Sequence, residues 1–454
     1  MRKIWMGTWA VLAMAGASLA GCGSDNACHR EGGVMLCGEF GTPIYTANLG
    51  SANIEWPPVA IENGQLLVAR GQQLVSVSKT GVVSTLTDMK QTLTVPSKDD
   101  DGSVYVVGGS ISVGNSAVVT AFGKDGLQAT PRWQKVIDGS PDGTPPSIGA
   151  GVVYAAMNTG LFVLDAKDGS VVRHRDGASP AAVLADGSIR YLSQPMSASS
   201  VAGAPVYHTL TAEDASGKTL WTYDDDEGVL DYAPGPSGET YVVTAQNHVL
   251  RRVGADGKVA WSFTPPCADC TVAAAPTVTN GVAYFPVWET RKEQPIDPLY
   301  AVALDSGKMQ WTYDGFSTNN TEFAPYKLMS PGSKPVDTTS TQHHPAGRPV
   351  VAQDGTLFVA TDGAVAALDQ KGQLLGLAMY DASVGEVSVS DNFMARSMTW
   401  INPGVHPSPV LGPDGTLYVW DGSKVSAFRT GKAAERSSWI APFGGPSNAG
   451  RLPK

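Results

Sequence analysis

The sequence predicts an all-β fold made of repeated four-stranded units, and two recurring phrases lead to that prediction. The first phrase places a Gly-Lys pair shortly before a tryptophan, as DASGKTLW ending at Trp221, GADGKVAW ending at Trp261 and LDSGKMQW ending at Trp311. The acidic residue and the glycine favour a tight hairpin turn, because Asp bonds the local backbone and Gly tolerates a positive φ. The apolar residues on either side of the turn therefore predict two paired strands.

The second phrase is a proline followed by a glycine turn and a strand of aromatic and β-branched residues. Examples are PTVTNGVAYFPV from Pro276, PVVAQDGTLFVAT from Pro349 and PVLGPDGTLYVWD from Pro409. Its glycine occurs eight times, at Gly64, Gly102, Gly151, Gly187, Gly238, Gly281, Gly355 and Gly415. The intervals run from 36 residues, near the period of a four-stranded blade, to 74 residues, which requires insertions. The pattern predicts one eight-bladed β-propeller of four-stranded antiparallel blades, with no helical periodicity in the mature chain.

A family resemblance is carried by phrases such as Ala303-Leu304-Asp305 followed by Gly307 and Trp311. The chain resembles the PQQ-like, or quinoprotein-type, β-propeller repeat family from about Trp56 to Phe428. The tryptophan of that family's repeat typically docks one blade against the next. The resemblance thus implies a blade-docking role for Trp133, Trp221, Trp261 and Trp311, with ligand stacking as the alternative.

The N-terminus has the pattern of a bacterial lipoprotein signal. Arg2 and Lys3 precede a short apolar run that ends in Leu19-Ala20-Gly21-Cys22. A positive start, a short apolar stretch and small residues at the cleavage point are typical of a secretory signal peptide, here residues 1–21. The match to the lipobox predicts lipidation of Cys22 and membrane anchoring without a spanning helix. Gly23 follows the lipidated cysteine, which favours the outer membrane facing the periplasm and leaves surface exposure open.

Four cysteines remain in the exported chain, and an even number favours disulfides. We expect one disulfide between Cys28 and Cys37 and another between Cys267 and Cys270. The CADC spacing of the second pair is also that of a redox or metal motif. A loop disulfide is favoured, because the pair follows two prolines and the chain has no other CxxC motif.

Composition and charge limit the partners. The 454 residues are 42% hydrophobic and 16% charged, with a formal net charge of −10 that becomes −12 once Arg2 and Lys3 leave with the signal peptide. An acidic surface argues against nucleic acid and anionic headgroups as the main partners. We expect residues 22–40 to form a flexible lipidated tether and residues 41–454 to form the propeller, with TPIYTANLGSANIEW completing the last blade.

Long insertions are where we expect binding residues, because they extend from a rigid scaffold. They include Trp288–Pro298, Phe316–Gly347 and Asn392–His406. The histidines His343, His344 and His406 lack an acidic partner at ligand spacing, and we expect no metal there. The acidic runs Asp99–Gly102 and Asp224–Gly228 lack the pattern of a calcium loop and are interpreted as solvated turns. Phe393, Met394, Met398 and Trp400 form either a partner patch or a cover for the ring edge.

Two functional hypotheses remain. Motifs of hydrolases, zinc proteases and P-loop enzymes are missing, so we predict no catalytic or cofactor-binding residue. The first hypothesis is a non-enzymatic, lipid-anchored scaffold for envelope proteins, monomeric within a complex, and similar to the propeller lipoproteins of the outer-membrane barrel-assembly machinery. The second is a quinoprotein-type oxidoreductase or small-ligand receptor. PQQ is not expected as a cofactor, because the adjacent cysteines that many such enzymes carry are missing.

Overall fold

The computed structural model describes the following parts of the chain. They are residues 28–31, 34–37, 43–50, 59–61, 64–109, 116–124, 130–201, 204–266, 270–272, 275–289, 298–314, 316–317, 342–343, 345–361, 364–379, 409–420 and 424–432. The elements in these ranges are strands and turns, without an α-helix. The prediction of an all-β chain is confirmed.

The strands follow one another as short segments that turn back on themselves. The N-terminal strands are β1 (Cys28–Glu31), β2 (Val34–Cys37) and β3 (Pro43–Asn48). Three successive groups of four follow: β4 (Val59–Ile61), β5 (Gln65–Arg70), β6 (Gln73–Val77), β7 (Val83–Asp88); β8 (Ser97–Lys98), β9 (Ser103–Gly108), β10 (Ser116–Lys124), β11 (Pro131–Asp138); β12 (Ser147–Gly149), β13 (Val152–Met157), β14 (Gly160–Asp165), β15 (Val171–Asp176). Each group forms a four-stranded antiparallel sheet in chain order.

The middle of the chain holds two larger sheets. Their strands are β16 (Ala182–Val183), β17 (Ile189–Val201), β18 (Ala204–Glu213), β19 (Thr219–Pro234), β20 (Thr240–Thr244), β21 (Leu250–Val253), β22 (Val259–Phe263); and β23 (Cys270–Val272), β24 (Thr277–Thr279), β25 (Val282–Glu289), β26 (Leu299–Ala303), β27 (Met309–Tyr313). The first set is one sheet of seven strands, because the long β19 pairs with β18 through its first half and with β20 through its second. In the second set, both β23 and β24 pair with β25.

The C-terminal strands complete the fold. They are β28 (Phe316–Ser317), β29 (Gln342–His343), β30 (Pro345–Val351), β31 (Leu357–Thr361), β32 (Ala364–Leu368), β33 (Leu374–Met379), β34 (Val410–Leu411), β35 (Thr416–Trp420) and β36 (Lys424–Arg429). Strands β30 to β33 form a four-stranded sheet, and β28 and β29 form a separate pair.

The last four-stranded sheet joins both ends of the chain. Its order is β3-β36-β35-β34, and Thr46 is the ladder partner of Ser426. The hydroxyls of these two residues lie 3.1 Å apart. The sequence prediction that an N-terminal strand completes the last sheet is therefore confirmed.

The innermost strands contact one another in a closed cycle. Strand β4 contacts β8, β8 contacts β12, and β12 contacts β16; β19 contacts β24, β24 contacts β30, β30 contacts β34, and β34 contacts β4. Tyr232 of β19 completes the series, because its hydroxyl accepts a hydrogen bond from the backbone N–H of Ala182 in β16 at 3.1 Å. The sheets consequently surround a common axis.

The core lies between neighbouring sheets. One cluster of buried side chains joins Val68 and Val75 of the β4–β7 sheet to Tyr418 and Trp420 of the sheet that contains both chain ends. Because each sheet packs against the next one in the cycle, apolar side chains are buried on both faces of its central strands.

The range predicted as a flexible tether contains regular structure. Strands β1 and β2 form an antiparallel hairpin within residues 22–40. The rest of that range lies outside the described residues, together with the signal peptide.

Candidate functional site

The two ends of the sheets differ in the length of their connections. In an antiparallel four-stranded sheet, the first and third connections lie at one end, and the second connection and the exit lie at the other. The first end carries tight turns, such as the one between β18 and β19, where Asp214 Oδ1 accepts from the backbone N–H groups of Ser216 at 2.9 Å and Lys218 at 3.0 Å. We call this end the turn face and the opposite end the loop face.

The described strands that flank the long insertions end at the loop face. The insertion from Trp288 to Pro298 separates β25 from β26, the second connection of its sheet. The insertion from Phe316 to Gly347 follows β27, and the one from Asn392 to His406 follows β33, both of which are exits. The sequence located these insertions, but only the strand order assigns their flanking strands to one face.

A rim of exposed carboxylates marks the loop face. Four members, Asp88, Asp138, Asp176 and Asp314, lie at or just after the last position of a sheet's outermost strand, and all four are exposed. The fifth, the exposed Asp224, lies within β19 at the end of its continuous pairing with β18. Sequence reasoning missed this rim, although the repeated order Trp-Thr-Tyr-Asp at Trp221 and Trp311 contains the signal.

An ion network lies beneath the rim between β19 and β21. The Asp225 side chain is only 1% exposed, and its Oδ2 accepts from Arg251 Nη1 and from the Tyr223 hydroxyl, both at 2.5 Å. Arg251 Nη2 also lies 3.0 Å from Glu227 Oε2, and Asn247 Nδ2 donates to Glu227 Oε1 at 3.0 Å. Burial, followed by the bond to Asp225, raises the pKa of Tyr223 to about 12, so the phenol stays protonated and donates.

This network corrects one interpretation of the sequence. The acidic run from Asp224 to Gly228 was expected to be a solvated turn, but it lies within β19. Strand alternation exposes Asp224 and Asp226 and buries Asp225 against Arg251. The expectation is wrong for Asp225, because the strand continues where a turn was predicted.

A second polar group lies near the axis at the loop face. Asp231 Oδ2 is 2.5 Å from Arg348 Nη2 and accepts from the backbone N–H of Ala275 at 2.8 Å, so it joins three successive inner strand regions. Asp142 lies in the connection before β12, where its Oδ1 accepts from the Thr144 backbone N–H at 2.9 Å and from the Thr144 hydroxyl at 2.6 Å.

The carboxyl of Asp142 has an unusual titration. The residue is exposed to solvent, yet the protein around the carboxyl desolvates it. This desolvation raises the pKa of Asp142 to about 6, against the opposing effect of the Thr144 bonds. Burial and the nearby Asp142 charge raise the pKa of Tyr207 to about 12. The inner strand regions therefore carry a carboxyl with a raised pKa and, separately, an ion pair.

The predicted docking tryptophans lie on outermost strands and contact the next sheet. The indole N–H of Trp261 donates to Leu304 O at 2.8 Å, and the ring covers Gly307 so closely that a Cβ there would lie 2.7 Å from it. Trp133 makes the same contact: its indole N–H donates to Ala166 O at 3.0 Å, and its ring covers Gly169. The indole N–H of Trp311 likewise donates to Gln370 O at 2.8 Å, and its ring covers Gly372.

Trp221 departs from this pattern. Its ring lies over Gly257, where a Cβ would come within 3.1 Å, and the Arg190 guanidinium sits 4.9 Å from the ring centroid. Its buried indole nitrogen has no hydrogen-bond partner among the described residues. The Arg190 guanidinium above the ring compensates in part for the missing hydrogen bond, because a cation–π contact stabilises by roughly 0.5–1 kcal/mol or more.

The remaining predicted site residues are placed only in part. Cys28 and Cys37 are ladder partners in the β1–β2 hairpin, and Cys270 lies on β23 opposite Glu289. Cys22 and Cys267 lie outside the described residues, as do His344, His406 and the apolar group Phe393, Met394, Met398 and Trp400. Among the residues that the structure describes, no group of three or more His, Cys, Asp or Glu side chains is arranged to hold a metal ion.

Four-stranded antiparallel sheets that follow one another in a closed cycle define a β-propeller, and the repeated turn and tryptophan resemble those of PQQ-like repeats. A family model described as "Outer membrane protein assembly factor BamB" matches residues 206–395, which is less than half of the chain. The predicted resemblance to PQQ-like repeats, with distant similarity to that assembly factor, is confirmed.

A solved structure shows the same fold at low sequence identity. The crystal structure of BamB from Moraxella catarrhalis aligns with a TM-score of 0.53 and 12% identity, over 86% of this chain and 99% of that one. A streptogramin B lyase aligns with a TM-score of 0.43 and 10% identity, over 84% of this chain and 96% of that one. No curated protein matches by sequence. In the described part of the chain, no helix has the length and apolar character needed to cross a bilayer.

Proposed function

We propose that this protein is a non-enzymatic, lipid-anchored scaffold of the bacterial cell envelope that binds other envelope proteins through its loop face. The observation that carries this proposal is the division between the two faces. Long connections and exposed carboxylates belong to the loop face, while tight, internally bonded turns close the opposite end. A surface of this kind offers many adaptable contacts on a rigid base, as protein partners require.

The architecture that we propose is an eight-bladed ring. The seven-stranded sheet then counts as two blades that share β19, and β3 supplies the outermost strand of the last blade. The closed cycle of inner-strand contacts supports this count.

Outer-membrane protein assembly is the process that we propose, because the matching family model is described as an assembly factor of that membrane. The predicted lipid on Cys22 would hold the ring at the membrane, and cleavage before that residue would leave no signal peptide in the mature protein. The acidic rim favours partners with basic surfaces and argues against nucleic acid and anionic headgroups.

Site-directed photo-crosslinking in living cells tests the proposal. A photoreactive amino acid in place of Asp176 or Asp224 probes the loop face. The same photoreactive amino acid in place of Lys167 or Lys258 probes the turn face. We expect adducts with outer-membrane assembly proteins from the loop face only, and their loss in a Cys22→Ala variant that is still exported. Equal adducts from both faces, or only from the turn face, would contradict the proposed binding face.

The axial group supports a second candidate, a receptor for a small ligand. Asp142, with its raised pKa, precedes the innermost strand β12, and the Asp231–Arg348 pair joins β19 and β30, where polar groups could serve a ligand site. The described axial residues do not fit PQQ, because that quinone is a tricarboxylate, the guanidinium is already paired and Asp142 is acidic. Retention of PQQ and calcium after gel filtration would favour the quinoprotein alternative, whereas loss of both would remove that alternative and leave the scaffold and the receptor for another small ligand.

A further inference from the structure

Strand β33 differs in sequence from the outermost strands of the other sheets. It reads Leu-Leu-Gly-Leu-Ala-Met, without a polar residue. Outermost strands such as β11 and β15 instead alternate toward solvent with charged or polar side chains. A free sheet edge normally carries such polar residues, because an apolar edge pairs readily with another chain. The sequence of β33 is therefore that of a covered strand.

Burial along β33 agrees with its sequence. Gly376 and Ala378 are buried, and Leu374 and Leu375 are only partly exposed. Other outermost strands leave large apolar side chains exposed, such as Val172 at 52% and Met309 at 47%. In its own sheet β33 pairs only with β32, so its second edge has no ladder partner among the described strands.

The hairpin of β1 and β2 lies against β33. The Cα atoms of β2 come within 8 Å of those of β33, which is closer than the spacing of about 10 Å between facing sheets. The strand in contact is the apolar one, Val-Met-Leu-Cys, while β1 reads Cys-His-Arg-Glu. An apolar strand thus lies beside an apolar strand, with the polar strand of the hairpin as its partner.

The register of the hairpin brings two cysteines together. Cys28 and Cys37 are direct ladder partners. Partners in an antiparallel ladder have Cα atoms about 4.5–5.5 Å apart, which falls within the range that a disulfide spans. Oxidation of the two thiols releases two protons and two electrons. In an oxidising compartment these reduce the disulfide of a thiol–disulfide exchange protein to two thiols.

We propose that residues 28–37 form a disulfide-closed cover for the edge of β33. The cover occupies the one apolar outermost strand in the described sheets and prevents it from pairing with a second copy of this chain. It also fixes the segment between the predicted lipid and the ring against one sheet, instead of leaving it free. This proposal does not depend on the proposed partner or process.

Hydrogen exchange on the purified protein tests the cover. The variant replaces residues 28–37 with a Gly-Ser segment of equal length, and β27 serves as the internal control because it is also outermost. We expect exchange in β33 to accelerate at least tenfold while β27 is unchanged, since local opening sets these rates. We also expect the variant to self-associate in light scattering, and the reference protein to stay monomeric.

A milder perturbation isolates the disulfide. Peptide mapping without reduction should recover Cys28 linked to Cys37 from protein exported to an oxidising compartment. The double variant Cys28→Ser, Cys37→Ser should accelerate exchange in β33 by less than the full replacement does. Free, alkylatable thiols at both positions, or equal exchange in β33 with and without residues 28–37, would overturn the proposal.

Discussion

The contact between Trp261 and Gly307 predicts a destabilisation that can be separated into two parts. Gly307 has a φ of +68°, and a Cβ there would lie 2.7 to 3.0 Å from three atoms of the indole. Gly307→Ala therefore combines backbone strain of roughly 1–2 kcal/mol for an L-residue at positive φ with an overpacking cost of about 1–3 kcal/mol. We expect a total loss of about 2–5 kcal/mol.

Gly281→Ala is the matched control. Gly281 has a φ of +77°, and a Cβ there would meet nothing within 4 Å, so only the backbone strain applies. The difference between the two variants, about 1–3 kcal/mol, measures the packing of the indole on the neighbouring turn. Adding Trp261→Ala to Gly307→Ala should remove most of that difference, because residues in contact are not additive.

Urea denaturation measures these losses as shifts in midpoint at constant slope. Because a chain of this size can unfold in several steps, hydrogen exchange of the turn between β26 and β27 gives a local measure beside the global one. Equal losses for Gly307→Ala and Gly281→Ala would refute the reasoning, since the ring would then make no close contact with the turn in solution.

Two further predictions concern charge. Arg251→Ala should cost about 3 kcal/mol in unfolding free energy, because it leaves the buried Asp225 unpaired, whereas the exposed Lys258→Ala should change stability by less than about 0.5 kcal/mol in the same assay. The pKa of Asp142 is raised in the folded protein, so its contribution to stability is greatest below pH about 4 and is lost as the pH rises through about 6. The unfolding free energy of the Asp142→Asn variant should equal that of the reference protein at pH 4 and exceed it by about 1 kcal/mol at pH 8. The gain is modest because the side chain reaches solvent. A constant difference across pH would show that Asp142 titrates normally.

The sequence predicts the parts of this fold that depend on local turn chemistry. Each Gly-Lys turn before a tryptophan is short and its residues are neighbours, so phrases such as the one ending at Trp311 reveal the strands directly. Ring closure by β3 was also predictable, because the segment from Pro43 to Asn48 alternates as an edge strand does.

Features that depend on distant partners were not predictable in the same way. Asp225 is buried only because Arg251 faces it from β21, 26 residues along the chain. The sequence around Cys28 predicts a tether, because nothing near it in sequence indicates that β33 lies beside it. The loop face likewise required the strand order, since residue spacing gives the length of a connection and not the end of the sheet at which it lies.

The sharing of β19 between two sets of strands has a mechanical consequence. Most neighbouring sheets are joined by a separate connection, but β19 runs for 16 residues from one set of pairings into the next, with a register shift between Val229 and Asp231. Any motion that spreads these two sets apart must bend or break a continuous strand, whereas elsewhere it only stretches a connection. The two sets of strands should therefore move as one rigid unit, and opening motions between neighbouring sheets should be concentrated at the other junctions of the ring.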